Sequence, residues 1–68
     1  MTIGERLKLL RTRNVMSQAD LAKAAGVSPN TIWRIETGRT VPQAGTLRKM
    51  AHVFGVEPRR LMSDDDSG

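Results

Sequence analysis

The 68-residue chain contains no cysteine. It therefore has no disulfide framework and no thiolate metal site, a condition that fits a reducing compartment. Histidine occurs once, at His52. No Cys or second His accompanies it for a metal, and no Ser/Asp arrangement marks a nucleophile. At helical spacing His52 reads as an exposed or half-exposed surface residue. No glycine-rich stretch has phosphate-binding spacing. No apolar run approaches the length of a membrane span, and neither a strand pattern nor an internal repeat is evident. The composition thus argues against an enzyme, and no metal or cofactor is expected. Met50 and Met62 read as core or interface filler rather than ligands. Met1-Thr2-Ile3 reads as a natural start that runs straight into structure, with no signal peptide. A cytoplasmic protein is the expectation.

Acidic residues are also scarce. The formal net charge is +4, and three of the seven acidic residues are the run Asp64–Asp66. That leaves Glu5, Asp20, Glu36 and Glu57 against eleven Lys and Arg, so the body of the chain is +7. A small basic body suits a polyanion partner. The length allows one small domain, near the size at which a single hydrophobic core is marginal. The expected division is a folded domain over residues 1–62 and a polar, acidic, disordered tail over 63–68.

Apolar spacing predicts helices throughout. Thr2 or Gly4 opens the first, which runs to about Arg13 with Ile3, Leu7 and Leu10 as its core stripe. Leu9 falls off that stripe, as an exposed leucine or part of a subunit contact. Asn14 is the residue expected to take the left-handed conformation that ends the helix. Helices at about 44–54 and 58–62 close the domain. Leu47, Met50, Ala51 and Phe54 form the core face of the first of these, and Gly55 ends it. Gln43 is an indifferent cap there. Arg39-Thr40-Val41-Pro42 is a loop that Pro42 keeps extended.

The most informative stretch is Gln18–Thr37. Ser17 is placed to cap a helix over about 18–25, with Asp20 as its capping-box partner. Gly26 ends that helix by adopting φ > 0. Ser28 caps the next, and Pro29 sits at its first position, where a missing N–H costs nothing. Leu21, Ala22 and Ala25 share one face; Ile32 and Ile35 share another, with Val27 wedged in the turn. Ala22 is small enough to let two steeply crossing helices approach. The pattern Gln18, Leu21, Ala22, Gly26, Val27, Ile32 and Ile35, followed by Glu36 and Gly38, resembles the helix-turn-helix of the Cro/lambda-repressor-like (XRE) family. The likeness covers about residues 3–62. It implies an all-α, five-helix, lambda-repressor-like DNA-binding domain whose second and third helices form the helix-turn-helix.

The resemblance implies particular roles as well. Arg11 pairs with Glu36 and ties the first helix to the third. The third helix lies in the major groove with its N-terminal residues at base edges. Pro29, Asn30 and Arg34 are then the first base-reading candidates: Asn pairs with adenine, Arg with guanine, and Pro offers only apolar contact. Thr31 reaches a thymine methyl or a phosphate. Trp33 projects toward DNA with the base-reading set, where it packs along the sugar-phosphate backbone or donates its indole N–H to a phosphate; otherwise it covers part of the first or second helix. Gln18 is the expected backbone clamp, because its amide, its N–H and the helix dipole all favour phosphate. Ser17, Ser28, Thr37, Arg39 and Thr40 join it from caps and loops. The implied activity is sequence-specific binding to a palindromic double-stranded operator, repressing transcription by occlusion. The implied assembly is a homodimer, at least on DNA, joined through Val56, Leu61, Met62 and the end of the fourth helix. The rival is an adaptor that uses the same fold to bridge proteins without DNA contact.

Overall fold

In the computed structural model, which describes residues 1–62, Thr2 sets the start of the first helix. Its hydroxyl accepts the Glu5 N–H (3.1 Å), and the Glu5 carboxylate accepts the Thr2 N–H (2.8 Å). This reciprocal capping satisfies two donors that the first turn would otherwise leave unpaired. Helix α1 then runs over Ile3–Arg13, α2 over Gln18–Ala25, α3 over Pro29–Glu36, α4 over Ala44–Phe54 and α5 over Arg59–Met62. Ser17 and Asp20 repeat the reciprocal device on α2, both bonds at 2.9 Å. On α3 the Ser28 hydroxyl accepts the Thr31 N–H at 3.2 Å, and Pro29 occupies the first turn. Gln43 gives α4 no side-chain cap. No strand occurs among the described residues.

The four longer helices end alike. One residue turns left-handed, and the next residue's N–H reaches back to a carbonyl five positions earlier. These bonds are Met16 to Arg11 (3.0 Å), Val27 to Ala22 (2.9 Å), Arg39 to Arg34 (2.9 Å) and Val56 to Ala51 (3.0 Å). The motif satisfies terminal carbonyls that the helix itself leaves open. Gly26, Gly38 and Gly55 make three of the reversals. The fourth corrects the expectation for Asn14. Its φ is −92°, and its backbone N–H and its side-chain amide both bond to Leu10 O (3.1 and 2.7 Å). Those bonds keep Asn14 on the helix, so the reversal falls on Val15, at φ 56°. A β-branched residue is a poor occupant of that region.

Leu7, Leu21, Ile32, Ile35, Met50 and Leu61 are the largest fully buried side chains. Each contributes about 1.5–3 kcal/mol by leaving water. Ala22, Ala25, Leu47 and Ala51 complete the core, and Ile3, Leu10, Val27 and Phe54 pack on it. Helix α2 packs on both α3 and α4, while α1 packs on α3 and α5. Buried Ala22 permits the close approach within the helix-turn-helix. At the α1–α3 contact the same service comes from Gly4. A methyl there would overlap the Ile35 carbonyl oxygen and sit 2.9 Å from that of Glu36.

The C-terminal end corrects a second expectation. Leu61 is 1% exposed and belongs to the core, and Val56 packs against that core. Leu61 is therefore not free to join subunits, because α5 closes the core over α1 and α4, whereas Val56 is half-buried. Met62 alone of the named contact residues is well exposed, at 63%. Leu9 is half-buried. The expected disordered tail, with Asp64–Asp66, lies outside the described residues.

Candidate nucleic-acid interface

The interface is built outward from one ion pair. Arg11 Nε donates to Glu36 Oε2 at 2.6 Å, and a second guanidinium nitrogen donates to Oε1 at 3.1 Å. The remaining terminal nitrogen donates to Met16 O at 2.9 Å. The Gln18 side-chain amide adds a further bond to Glu36 Oε1 at 3.1 Å. The side chains are only 11% and 3% exposed for Arg11 and Glu36. One carboxylate at the last turn of α3 thus gathers α1 and the first residue of α2, and Arg11 ties in the α1–α2 turn. This sets the start of α2 beside the end of α3.

That arrangement modifies the role expected of Gln18. One amide donor is committed to Glu36, so the side chain is a positioning link as well as a surface group. What remains for an anion is the N-terminus of α2, where the first backbone N–H groups lie ahead of any intrahelical partner. Asp20 sits in the same turn. Hydrogen bonds from the Ser17 N–H and hydroxyl, and then Lys23, hold its carboxyl below the usual carboxylate value.

Helix α3 presents an exposed face. Pro29, Asn30, Trp33 and Arg34 lie on it, and Thr31 is half-buried beside them. The side chains of Asn30 and Arg34 make no hydrogen bond or ion pair among the described residues. Arg34 shares a shallow cleft with Thr31, Thr40 and Thr46, so the α3–α4 loop lies alongside the middle of α3. Several hydroxyls expected to touch phosphate are already engaged. Ser28 and Thr31 share a hydroxyl–hydroxyl bond at 2.9 Å. Thr37 donates back to Trp33 O at 2.8 Å.

Trp33 does not sit within the core. It is 41% exposed, and the Arg39 guanidinium lies over its ring, 4.9 Å from the centroid. The reversal at Gly38 turns the chain back along α3 and makes this possible. Sequence reasoning placed both residues at the surface but had no signal for their stacking, which depends on that reversal. Gly4 was likewise read only as a helix opener, although a glycine inside an amphipathic helix hints at a close neighbour.

Basic charge is spread more widely than a single DNA-facing surface. Arg6, Arg13, Arg59 and Arg60 line a separate cleft between α1 and the C-terminal turns, floored by Leu10 and Val56. Within it Arg59 pairs with Glu57 at 2.7 Å. His52 is exposed on α4. No helix among the described residues is long and apolar enough to cross a membrane.

Comparison with known proteins agrees with this geometry. A family model described as "Helix-turn-helix domain" matches residues 2–63. An uncharacterized HTH-type transcriptional regulator of Methanocaldococcus jannaschii is 42% identical over 61 residues, covering 90% of this chain and 92% of that protein. The immunity repressor protein of Bacillus phage phi105 is 29% identical over 96% of this chain and 45% of its own length. Multiprotein-bridging factor 1 of Candida glabrata is 37% identical over 84% of this chain and 38% of its own. The chain therefore spans less than half of these last two relatives. Among solved structures, the P22 c2 repressor in complex with a synthetic operator superposes with a TM-score of 0.90 at 29% identity, covering 96% of this chain and 98% of that one. With its two capped helices packed together and joined through the reversal at Gly26, the chain belongs to the helix-turn-helix domain family, among its Cro/lambda-repressor-like (XRE) members.

Proposed function

We propose that this chain is a sequence-specific double-stranded DNA-binding module that regulates transcription, acting as a repressor by occluding its operator. The observation that carries the reading is the outer face of α3. Asn30 and Arg34 project there with no partner among the described residues, although both carry donor sets that match base edges. A protein surface with no such task has no need to hold these groups on a helix fixed from behind by a nearly dry ion pair. Pro29 and Thr31 border the same face, and Trp33 lies on it beneath Arg39. Backbone contacts come from the start of α2 at Ser17 and Gln18, from Ser28 at the start of α3, and from Arg39 and Thr40 in the following loop, while Thr37 keeps its own donors on Trp33 O. The operator is a palindrome bound by two copies, with half-sites about 34–36 Å apart. The cytoplasm is the compartment in which such a module would work.

A mobility-shift titration against a random duplex pool tests the reading. Retarded complexes that weaken steeply with added salt are expected, because phosphate contacts release counterions. Absence of any shift at low salt would contradict it. The second reading is a protein-bridging adaptor. It draws on the name of the Candida glabrata relative, and that negative result would favour it.

A further inference from the structure

We propose that Trp33 is a positioning residue, a shelf that holds Arg39 ready for a DNA phosphate without neutralising it. The inference rests on the DNA-binding reading and assigns Trp33 a task other than reading bases.

The geometry is specific. Gly38 reverses the chain, and the Arg39 N–H is held by Arg34 O at 2.9 Å. This fixes the root of the Arg39 side chain alongside α3. The guanidinium then lies over the Trp33 ring, 4.9 Å from its centroid. Trp33 itself is braced at its backbone, since its carbonyl accepts both the Thr37 N–H (3.0 Å) and the Thr37 hydroxyl (2.8 Å). The Thr37 hydroxyl, occupied in this way, serves the shelf.

The choice of an aromatic partner has a chemical consequence. Arginine's five N–H donors lie in the plane of the guanidinium. Stacking on a π face restrains that plane and leaves its edge free to donate. A carboxylate partner would instead occupy the donors and cancel the charge. The fold itself shows the contrast: Glu36 engages two donors of Arg11 and neutralises its charge, whereas Arg39 pairs with no carboxylate among the described residues. Pre-ordering a long side chain removes part of the entropy lost on binding.

The test has two arms. In the free protein, NMR should show the Arg39 Hδ and Hε resonances shifted upfield by the indole ring, and Trp33→Ala should abolish the shift. Affinity is then measured for a duplex recovered by selection from a random library and for a scrambled duplex of equal length. Trp33→Ala should weaken both by about 2–5-fold, the range of an exposed cation–π contact. Trp33→Phe should recover most of that loss. In an Arg39→Ala background, Trp33→Ala should cost nothing more, and Arg39→Ala should show a shallower salt dependence. Absence of the upfield shift overturns the proposal whether or not DNA binds. Equal losses from Trp33→Ala with and without Arg39 also overturn it, since Trp33 would then act on its own. Loss confined to the selected duplex makes Trp33 a base reader and overturns it too. A free-protein shift without binding of the wild type to any duplex overturns the DNA reading itself, and the shelf's role falls with it.

Discussion

Removing Glu36 should nearly unfold this domain. The Arg11 and Glu36 side chains are 11% and 3% exposed, so the pair sits almost out of water. Glu36→Ala deletes three hydrogen bonds at once, two from Arg11 and one from Gln18. Only Met16 O would still accept from the stranded guanidinium. Removing one partner of a buried pair costs about 3–5 kcal/mol, because the other charge is left dry and uncompensated. A chain of this length has a total stability of roughly 3–10 kcal/mol, at 0.05–0.15 per residue. Each kcal/mol moves the melting temperature of a domain this size by about 4–8 °C. Glu36→Ala should therefore melt at least about 12 °C below the wild type, followed by circular dichroism. Arg11→Ala should do the same. The double variant Arg11→Met, Glu36→Leu should recover most of the loss, since apolar replacement of a whole buried pair is often neutral. A fall of less than about 4 °C in Glu36→Ala, equivalent to under 1 kcal/mol, would refute the reasoning. The pair would then be no more than a surface bridge.

Three further outcomes follow from the same physical picture. Gly4→Ala gains helix propensity of about 1 kcal/mol but drives a methyl into the Ile35 and Glu36 carbonyl oxygens. Overpacking costs typically about 1–3 kcal/mol, more against backbone that cannot yield, so urea titration should show net destabilisation. Val15→Gly relieves a left-handed β-branched residue that is 89% exposed. Allowing for glycine's extra unfolded-state entropy, it should raise stability by about 0.5–1 kcal/mol in the same titration. Asp20 has a folded-state carboxyl pKa lowered by its Ser17 hydrogen bonds. A lowered value stabilises the fold above the unfolded-state pKa, and the contribution disappears as pH falls through the folded one. Asp20→Asn should accordingly flatten the acid limb of a stability–pH profile below about pH 4 and leave its basic side unchanged.

The helices were legible because their ends are written locally. Ser17 with Asp20, Ser28 with Pro29, and Gly26 with Val27 are short-range signals, and each set the helix end it implied. Apolar spacing likewise found the core from Leu7 to Ala51, since helical period and burial agree there. What escaped was nonlocal. Nothing around Gly4 in the sequence says that α3 passes within a methyl's width of it. Nothing before folding says that Arg39 returns to Trp33. Leu61 looked available for a partner because a short terminal helix carries no sign of which neighbour it covers. Val15 escaped for a different reason. Residue propensity favours Asn14 for the reversal, but hydrogen-bond register placed it one residue on. The Arg11–Glu36 pairing was suggested by family resemblance, whereas the addition of Gln18 and Met16 to that network emerged only in three dimensions.

The central claim is that the outer face of α3 reads base sequence while the surrounding residues hold phosphate. It is tested most directly by selecting binders from a random duplex library at physiological salt, with Arg34→Ala and Arg39→Ala carried in parallel. The account predicts an enriched palindrome with half-sites about one helical turn apart. Arg34→Ala should lose or blur one position in each half-site, and Arg39→Ala should keep the same motif at lower affinity. Identical, sequence-blind losses from the two variants, or no enrichment by the wild type, would contradict it.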